Sequence, residues 1–482
     1  MKKKTTLKVK AKTRSQKNAK PLSGFPRGGW FLVLILIIAG SFFFLKQQKD
    51  RSVWTAYGEK PGDNFGTKTA PAGDVNGDGY ADLAVWSPGY GEQMGKVYVY
   101  LGSAKGLSKE PAWAVAGEKA KDQYGHSFGT VRDVNGDGYD DFIVGAQGYD
   151  DPPKTDVGKA YLYLGSPQGL SQTPVWTKEG ETALELLGDC SGPAGDINKD
   201  GLGDVVTGGY GFDHFRGRAF VYDGSKTVGL SPKPAWVGYG EDKNDWYGYS
   251  VASCGDIKGD GYTGVVIGGK QHRKGAMERV GKVYVYYGSK NGLPSKPSWT
   301  AVGETEGELF GWRALPTGDI KGDGHNGLIV SGYMYGDAKK HFVGKVYVYC
   351  GTKDGLPAEP SWTFEGESSN SLFGYTIAAG DFNGDGYSDI LVGAPYFDNE
   401  RGKIYLFLGG PNGLSKEPAW TKEGEQKQER FGSYVANSGD INGDGVQDIA
   451  VGALNNSEKG RENGKAYLFY GRKNGMPAPT LP

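Results

Sequence analysis

Short apolar runs alternate with polar, glycine-rich segments along most of the chain. Examples are "KVYVY" at 96–100, 282–286 and 345–349, and "DILVGA" at 389–394. Runs of this length that are rich in Val, Ile and Tyr and bounded by Gly, Asn and Asp predict β-strands. The segments between these runs have no helical spacing of apolar residues. The pattern therefore predicts an all-β fold.

The predicted strands recur in a unit of about sixty residues, which is the signature of a repeat architecture. An acidic loop marks each unit and begins at Asp74, Asp133, Asp196, Asp256, Asp319, Asp381 and Asp440. Each unit contains, in order, a Trp, "GE", an aromatic or Leu residue before Gly, the acidic loop, an apolar run, a variable loop and a "GKVYVYLG"-type segment. Four strands follow: A after the aromatic-Gly pair, B after the acidic loop, C at "KVYVY" and D around the Trp. Seven four-stranded antiparallel units predict a seven-bladed β-propeller over residues 54–482.

The two ends of the repeat region predict how the ring closes. The Trp54 strand precedes the first A strand, whereas the last unit ends in "GRKNGMPAPTLP" and has no Trp. Blade seven should therefore lack its own D strand and use the N-terminal one.

Five of the seven acidic loops have Asp, Asn, Asp and Asp at positions 1, 3, 5 and 9. They are "DVNGDGYAD" (74–82), "DVNGDGYDD" (133–141), "DINKDGLGD" (196–204), "DFNGDGYSD" (381–389) and "DINGDGVQD" (440–448). An oxygen-only set around a tight turn suits Ca²⁺ better than Mg²⁺. The alternative, a plain hairpin turn, needs only Gly and one Asx residue. The candidate ligand side chains are those of Asp74, Asn76, Asp78, Asp82, Asp133, Asn135, Asp137, Asp141, Asp196, Asn198, Asp200, Asp204, Asp381, Asn383, Asp385, Asp389, Asp440, Asn442, Asp444 and Asp448.

The loops of blades four and five depart from this pattern in the same way. "DIKGDGYTG" (256–264) and "DIKGDGHNG" (319–327) have Lys at position 3 and Gly at position 9. We expect about five calcium ions per chain, with blades four and five free of metal. Our hypothesis is that Lys258 and Lys321 fold back between their two Asp residues as tethered cations. The alternative is a lysine that points into solvent over an empty turn.

These motifs resemble the FG-GAP repeat of the integrin α-subunit propeller. The resemblance rests on Phe-Gly pairs such as 65–66, the Asp-x-Asn-x-Asp-Gly-x-x-Asp loops and "VGAP" at 392–395, and it covers residues 54–482. It implies seven blades with Ca²⁺ in the A–B loops. It also implies that a position-7 carbonyl completes each site, from Tyr80, Tyr139, Leu202, Tyr387 and Val446. Integrin α-subunits have further domains after the propeller and a C-terminal span, so the resemblance supports fold and calcium more than integrin signalling.

The N-terminal segment predicts a membrane anchor. Residues 1–27 contain ten Lys or Arg residues and no acid, and residues 30–45, "WFLVLILIIAGSFFFL", are uncharged. We expect a basic cytoplasmic tail (1–29), one transmembrane helix (30–45), a linker (46–53) and a propeller outside the cytoplasm. A cleaved signal peptide is the alternative. Residues 28–482 have 45 basic and 56 acidic residues, a net of −11, which argues against a nucleic-acid partner.

Ligand binding is expected on the face opposite the acidic loops. The variable B–C loops lie there, and variable loops on a rigid scaffold are frequent binding sites. The loops of blades four and five are basic, through His272, Arg273, Lys274, Arg279, Lys339, Lys340 and His341. They define either a site for an acidic glycan or acidic protein segment, or an ordinary solvated surface.

No catalytic motif in the sequence has the context that it requires. "GHSFG" (125–129) fits the nucleophile elbow G-x-S-x-G, but no helix is predicted after it. The recurrent "GK" pairs lack the Ser or Thr of a phosphate loop. We therefore predict a non-catalytic protein that binds a protein or glycan. A propeller-type polysaccharide lyase or another carbohydrate-active enzyme is the alternative.

Overall fold

The computed structural model describes residues 54–458 and 463–478. They form a seven-bladed propeller in which each blade is a four-stranded antiparallel meander. In the order A to D, blade one comprises β2 (Thr69–Gly73), β3 (Asp82–Ser87), β4 (Lys96–Tyr100) and β5 (Trp113–Ala116), and blade two comprises β6 (Tyr124–Arg132), β7 (Asp141–Ala146), β8 (Lys159–Tyr163) and β9 (Trp176–Glu179). Blade three comprises β10 (Cys190–Gly195), β11 (Asp204–Gly209), β12 (Arg218–Tyr222) and β15 (Trp236–Tyr239), and blade four comprises β16 (Tyr247–Gly255), β17 (Gly264–Gly269), β18 (Lys282–Tyr286) and β19 (Trp299–Val302). Blade five comprises β20 (Arg313–Gly318), β21 (Gly327–Gly332), β22 (Lys345–Tyr349) and β23 (Trp362–Glu365), blade six comprises β24 (Thr376–Gly380), β25 (Asp389–Ala394), β26 (Lys403–Phe407) and β27 (Trp420–Glu423), and blade seven comprises β28 (Phe431–Gly439), β29 (Asp448–Ala453), β30 (Lys465–Phe469) and β1 (Thr55–Tyr57).

Two kinds of element supplement the blades. A small ribbon of β13 (Gly224–Ser225) and β14 (Gly229–Leu230) lies in the C–D loop of blade three. The B–C loops of blades one, three and six each contain a short left-handed turn, at Tyr90–Gln93, Phe212–Phe215 and Phe397–Glu400, in which three consecutive residues have positive φ. The sequence pattern did not predict these turns, because so short a segment shows no periodicity.

The ring closes as the sequence predicts. The A strands of neighbouring blades contact one another around the whole circuit, and β28 contacts β2. The N-terminal strand β1 pairs antiparallel with β30, with Ala56 opposite Ala466. The two ends of the propeller region therefore share one sheet.

The Trp of each D strand packs onto the C strand of the next blade. Trp54 lies edge-on to Tyr100 at 5.2 Å between ring centroids, and Trp113 lies edge-on to Tyr163 at 5.1 Å. The Trp54 indole N–H also donates to the Ser108 carbonyl at 3.0 Å, and Trp113 donates to Ser171 in the same way. Because Trp54 belongs to blade seven, its contact joins the last blade to the first.

The "GE" and "GK" motifs also meet between blades. The Lys96 ammonium lies 2.7 Å from Glu59, and Lys159 lies 3.0 Å from Glu118. Equivalent pairs join Lys282 to Glu241, Lys345 to Glu304 and Lys403 to Glu367. The "GK" lysines are therefore structural cations and not phosphate-loop residues. These glutamates are more than 40% exposed, so each pair adds little stability.

The hydrophobic core is divided into clusters between adjacent blades. One cluster combines Leu83 and Val85 of blade one with Ala450 and Leu468 of blade seven. Burial of the B and C strands on both faces explains their continuous apolar runs.

The meander places the A–B and C–D loops on one face and the B–C and D–A loops on the other. We call these the acidic-loop face and the variable-loop face. No helix among the described residues is long and apolar enough to cross a membrane. The predicted anchor at 30–45 lies outside those residues.

Candidate functional site

The acidic loops bring positions 1, 3 and 5 together at a tight turn. In blade one, the Asp74 carboxylate accepts hydrogen bonds from the backbone N–H groups of Asp78 at 3.0 Å and Gly79 at 2.8 Å. The Asn76 amide donates to the Asp78 carboxylate at 3.0 Å. Gly79 has a φ of 88°, which favours glycine at position 6. The position-1 bonds recur in the other four complete loops, at Asp133, Asp196, Asp381 and Asp440.

The position-9 aspartates lie deeper, at the start of the B strands. The fully buried Asp82 carboxylate accepts hydrogen bonds from the Val75 N–H at 3.0 Å and the Gly102 N–H at 2.8 Å. Burial raises the pKa of Asp82 to about 7, the two amide bonds oppose the rise, and the nearby Asp78 and Asp74 charges add to it. The same paired bonds occur at Asp141, Asp204, Asp389 and Asp448. Position 9 therefore ties the loop to the end of strand C.

The donor chemistry of the five complete loops fits a hard cation. No Lys, Arg or His of the described residues forms an ion pair with their position-1, 5 or 9 carboxylates. Across residues 54–458 and 463–478, no three His, Cys, Asp or Glu side chains converge as a metal centre. In each complete loop, the carboxylates of positions 1 and 5 and the amide oxygen of position 3 share the backbone N–H groups of one turn and lie near one another. Each oxygen of the position-9 carboxylate accepts one backbone N–H and keeps a second lone pair that is free to bind a cation. Ligation by position 9 therefore stays a prediction.

In blades four and five, a lysine partly neutralises the acidic loop. The Lys258 ammonium lies 2.6 Å from the Asp260 carboxylate, and Lys321 lies 3.3 Å from Asp323. Each lysine contacts the position-5 carboxylate and not the position-1 carboxylate, which accepts backbone N–H groups. The ammonium therefore takes the place of the Asn amide group of the complete loops. The expected fold-back is present, but onto one Asp instead of two.

The basic loops of blades four and five have acidic partners of their own. The His272 imidazole lies 3.1 Å from Asp245, and the Arg273 guanidinium lies 3.3 Å from Glu278. The backbone N–H groups of Lys339 and Lys340 both donate to Asp337 at 2.7 Å. This surface is therefore mixed in charge rather than uniformly basic.

The variable-loop face has an aromatic cluster that the sequence did not single out. We call it the aromatic rim; its members are Tyr210, Trp246, Tyr249, Trp312, Tyr333 and Tyr375, all partly exposed. Trp246 stacks on Tyr210 at 4.8 Å between centroids, and Trp312 packs on Tyr333 at 4.4 Å. The repeat frame offers one signal, because three rim members directly follow an aromatic-Gly pair.

A lysine is buried beneath this rim. The Lys270 ammonium lies 3.1 Å from the centroid of Tyr249 and 4.4 Å from that of Trp312, in cation–π geometry. Burial lowers the pKa of Lys270 to about 7; Asp189 opposes this shift and Arg313 adds to it. The charges of Asp189 and Arg313 therefore act on a lysine that contacts the rim.

Ser127 does not have the geometry of an activated nucleophile. It lies within strand β6, and its hydroxyl donates to the Gly188 carbonyl at 2.8 Å. The neighbouring His126 imidazole instead faces Asp189 at 3.1 Å. "GHSFG" is therefore the aromatic-Gly segment of blade two.

The fold and loops define a seven-bladed propeller built from FG-GAP repeats. The FG-GAP repeat model matches residues 373–407 and 431–469, and the FG-GAP-like repeat model matches residues 74–144. The chain therefore contains FG-GAP repeats, and its propeller is similar to that of integrin α-subunits.

Comparison with curated proteins finds two kinds of relative. Integrin alpha-PS2 of Drosophila melanogaster is 34% identical over 231 residues, which is 45% of this chain and 16% of the relative. Phosphatidylinositol-glycan-specific phospholipase D of Homo sapiens is 28% identical over 391 residues, which is 70% of this chain and 45% of the relative. The chain thus spans less than half the length of either protein. Among solved structures, Sqt1 from Chaetomium thermophilum aligns with a TM-score of 0.46 and 12% identity, covering 89% of this chain and 86% of that one.

Proposed function

We propose that the protein is a membrane-anchored, calcium-stabilised propeller that binds a protein or glycan outside the cytoplasm without chemical turnover. The main observation in support is the aromatic rim, a set of partly exposed aromatic side chains on one face of a rigid propeller. Aromatic residues are enriched among the anchors of binding interfaces. The integrin relatives favour a binding role, and the apolar segment at 30–45 favours the anchor.

Ligand capture tests the binding role directly. The purified chain should retain a defined ligand from panels of extracellular proteins and glycans, and Trp312→Ala should weaken that retention. Trp420→Ala is the matched control, because its indole packs on Phe469 between blades, away from the rim. Equal retention by both variants would place the binding surface elsewhere.

For calcium, we propose that each complete loop holds one ion through positions 1, 3 and 5, the position-7 carbonyl and position 9. Bound Ca²⁺ would offset the repulsion between carboxylates that no described cation neutralises. The role is structural, since the loops join strands A and B on the face opposite the aromatic rim.

Introducing the lysine of blade four into a complete loop should remove one calcium site. We expect about five bound Ca²⁺ per chain for the natural sequence and about four for Asn76→Lys, because an ammonium beside Asp78 would replace the Asn amide as Lys258 does beside Asp260. The reverse change is blocked at position 9, where a Cβ on Gly264 would lie 2.4 Å from the Tyr286 carbonyl oxygen. Elemental analysis after dialysis measures the number of ions, and Lys258→Asn, which adds no carboxylate, is the control that should leave the number unchanged. Seven ions in the natural chain would contradict the proposal that lysine replaces calcium in blades four and five.

An enzyme is the second candidate, favoured by the phospholipase D relative. Its name assigns that protein a phosphatidylinositol-glycan substrate, and this chain covers 45% of it. Incubation with acidic polysaccharides and with phosphatidylinositol-glycan lipids separates the candidates. Unsaturated sugars or released lipid phosphate above a heat-inactivated control would replace the binding role with catalysis.

A further inference from the structure

The seven A strands surround a central channel, and one side chain from each blade lines this channel near the variable-loop face. The second residue after each aromatic-Gly or Leu-Gly pair lines a cavity of about 280 Å³. These residues are Lys68, Ser127, Cys190, Ser250, Arg313, Thr376 and Tyr434, one from each blade. The ring has two cations, four hydroxyl groups and a thiol, and no carboxylate. We call this cavity the basic funnel.

The basic funnel has more positive than negative charge. Asp189 is the one acidic residue among those that line it, and its carboxylate lies 3.1 Å from the His126 imidazole. The Arg313 guanidinium makes no ion pair or hydrogen bond with any described residue, and its closest aromatic contact is Trp312 at 5.5 Å. Lys68 donates to the His126 carbonyl and likewise lacks an ion-pair partner within the described ranges. With Lys270 beside the channel, three basic groups face one carboxylate.

Confining these like charges to one partly enclosed cavity is costly without a counter-ion. The cost is visible in the lysines: burial lowers the pKa of Lys68 to about 8, and repulsion from Arg313 adds to the shift. Lys68 of blade one and Arg313 of blade five line the same cavity, so both side chains face the channel. An anionic group between them would relieve that repulsion.

The aromatic rim borders the same opening. Tyr249, Trp312 and Tyr375 each immediately precede a residue of the funnel ring. Trp312 lies 5.2 Å from Tyr249 and 5.5 Å from Tyr375 between centroids, so the rings form a continuous surface over blades four to six. A ligand whose charged group enters the funnel would rest its body on these rings.

We propose that the basic funnel and the aromatic rim together bind an acidic glycan, with the carboxylate or sulfate of one sugar between Arg313 and Lys68. A planar guanidinium binds such oxyanions in bidentate fashion. The C–H face of a sugar ring complements the negative face of an aromatic ring. A cavity of about 280 Å³ exceeds what an Asp or Glu side chain would fill, and it approaches the size of small-ligand pockets. This inference deepens the proposed binding function and rests on it.

Titration of the full-length chain with defined oligosaccharides tests the site. The probes are an oligogalacturonate (carboxylate), a heparin-derived oligosaccharide (sulfate), a neutral malto-oligosaccharide and an oligoglutamate peptide. We expect one or both acidic sugars to bind at least about 10-fold more tightly than the other two probes, and Arg313→Gln to weaken that binding by about 10-fold or more. Lys68→Gln should act in the same direction and serves if Arg313→Gln does not fold. Lys353→Gln is the control, because this lysine is exposed in a C–D loop on the acidic-loop face.

The possible outcomes separate this inference from the proposed binding function. Equal binding by Lys68→Gln and the natural chain would overturn the funnel site. Tighter binding of oligoglutamate than of either acidic sugar, unaffected by Trp312→Ala, would overturn the glycan class in favour of an acidic protein. If the neutral sugar or a captured protein binds but no acidic sugar does, the inference fails while the binding function stands. Absence of any ligand defeats both.

Discussion

Deletion of residues 1–57 is expected to abolish the cooperative unfolding of the propeller, whereas deletion of residues 1–53 should preserve it. The longer deletion removes Trp54 and β1, which alone complete blade seven. It exposes the outer edge of β30 and removes the indole contact with Tyr100. The loss of a buried Trp side chain costs about 3–5 kcal/mol by itself, and an open edge invites pairing with a second chain.

Thermal denaturation followed by circular dichroism, with the mass in solution from light scattering, measures both effects. We expect the 58–482 fragment to be either unfolded or associated through strand exchange. The variant Trp113→Ala is a matched control for loss of a buried indole, since Trp113 has the same contacts between blades one and two. It should destabilise without association. A monomeric 58–482 fragment with an unchanged midpoint would show that closure by β1 is dispensable.

Much of this architecture could be predicted because each motif residue acts between neighbouring blades. The Trp, "GE" and "GK" positions repeat because each blade makes the same contacts with the next, as in the Trp54–Tyr100 and Lys96–Glu59 pairs. The absent eighth Trp correctly predicted that β1 completes blade seven. A local repeat thus determines a global ring when every unit contacts its neighbours alike.

The basic funnel could not be predicted in this way. Lys68 and Arg313 are 245 positions apart in the sequence, and each occupies a repeat position where other blades have Ser, Thr, Cys or Tyr. Nothing local distinguishes them from exposed basic residues. Only ring closure brings them into one channel. The basic loops that the sequence did highlight have acidic neighbours such as Asp245 and Glu278.

The acidic loops could be predicted only in part. Their spacing predicted that positions 1, 3 and 5 converge, as they do in blade one. It did not predict that Asp82 would accept two backbone N–H groups in a buried site. The alternation of ligand residues predicts the geometry of the turn at positions 1 to 5. Position 9 is already the first residue of strand B, so the packing of that strand determines where its side chain lies.

Removal of calcium should lower the melting temperature of the propeller by about 10–15 °C. A site filled at 100 times its dissociation constant stabilises the folded state by about 2.7 kcal/mol, and five such sites act together. With about 2.1 cal/mol/K of unfolding entropy per residue, a domain of this size shifts by about 1 °C per kcal/mol. Differential scanning calorimetry with excess Ca²⁺ and with excess chelator measures the difference.

Two single substitutions make this test specific to the loops. Asp78→Asn removes a carboxylate from a complete loop, so it should reduce both the bound calcium, by one ion, and the difference in melting temperature. Asp260→Asn is the matched control at the same position of blade four, where Lys258 already lies 2.6 Å from the carboxylate. It should leave the calcium dependence unchanged, because that loop has an internal cation. If chelator leaves the melting temperature of the natural chain unchanged, calcium does not stabilise the propeller.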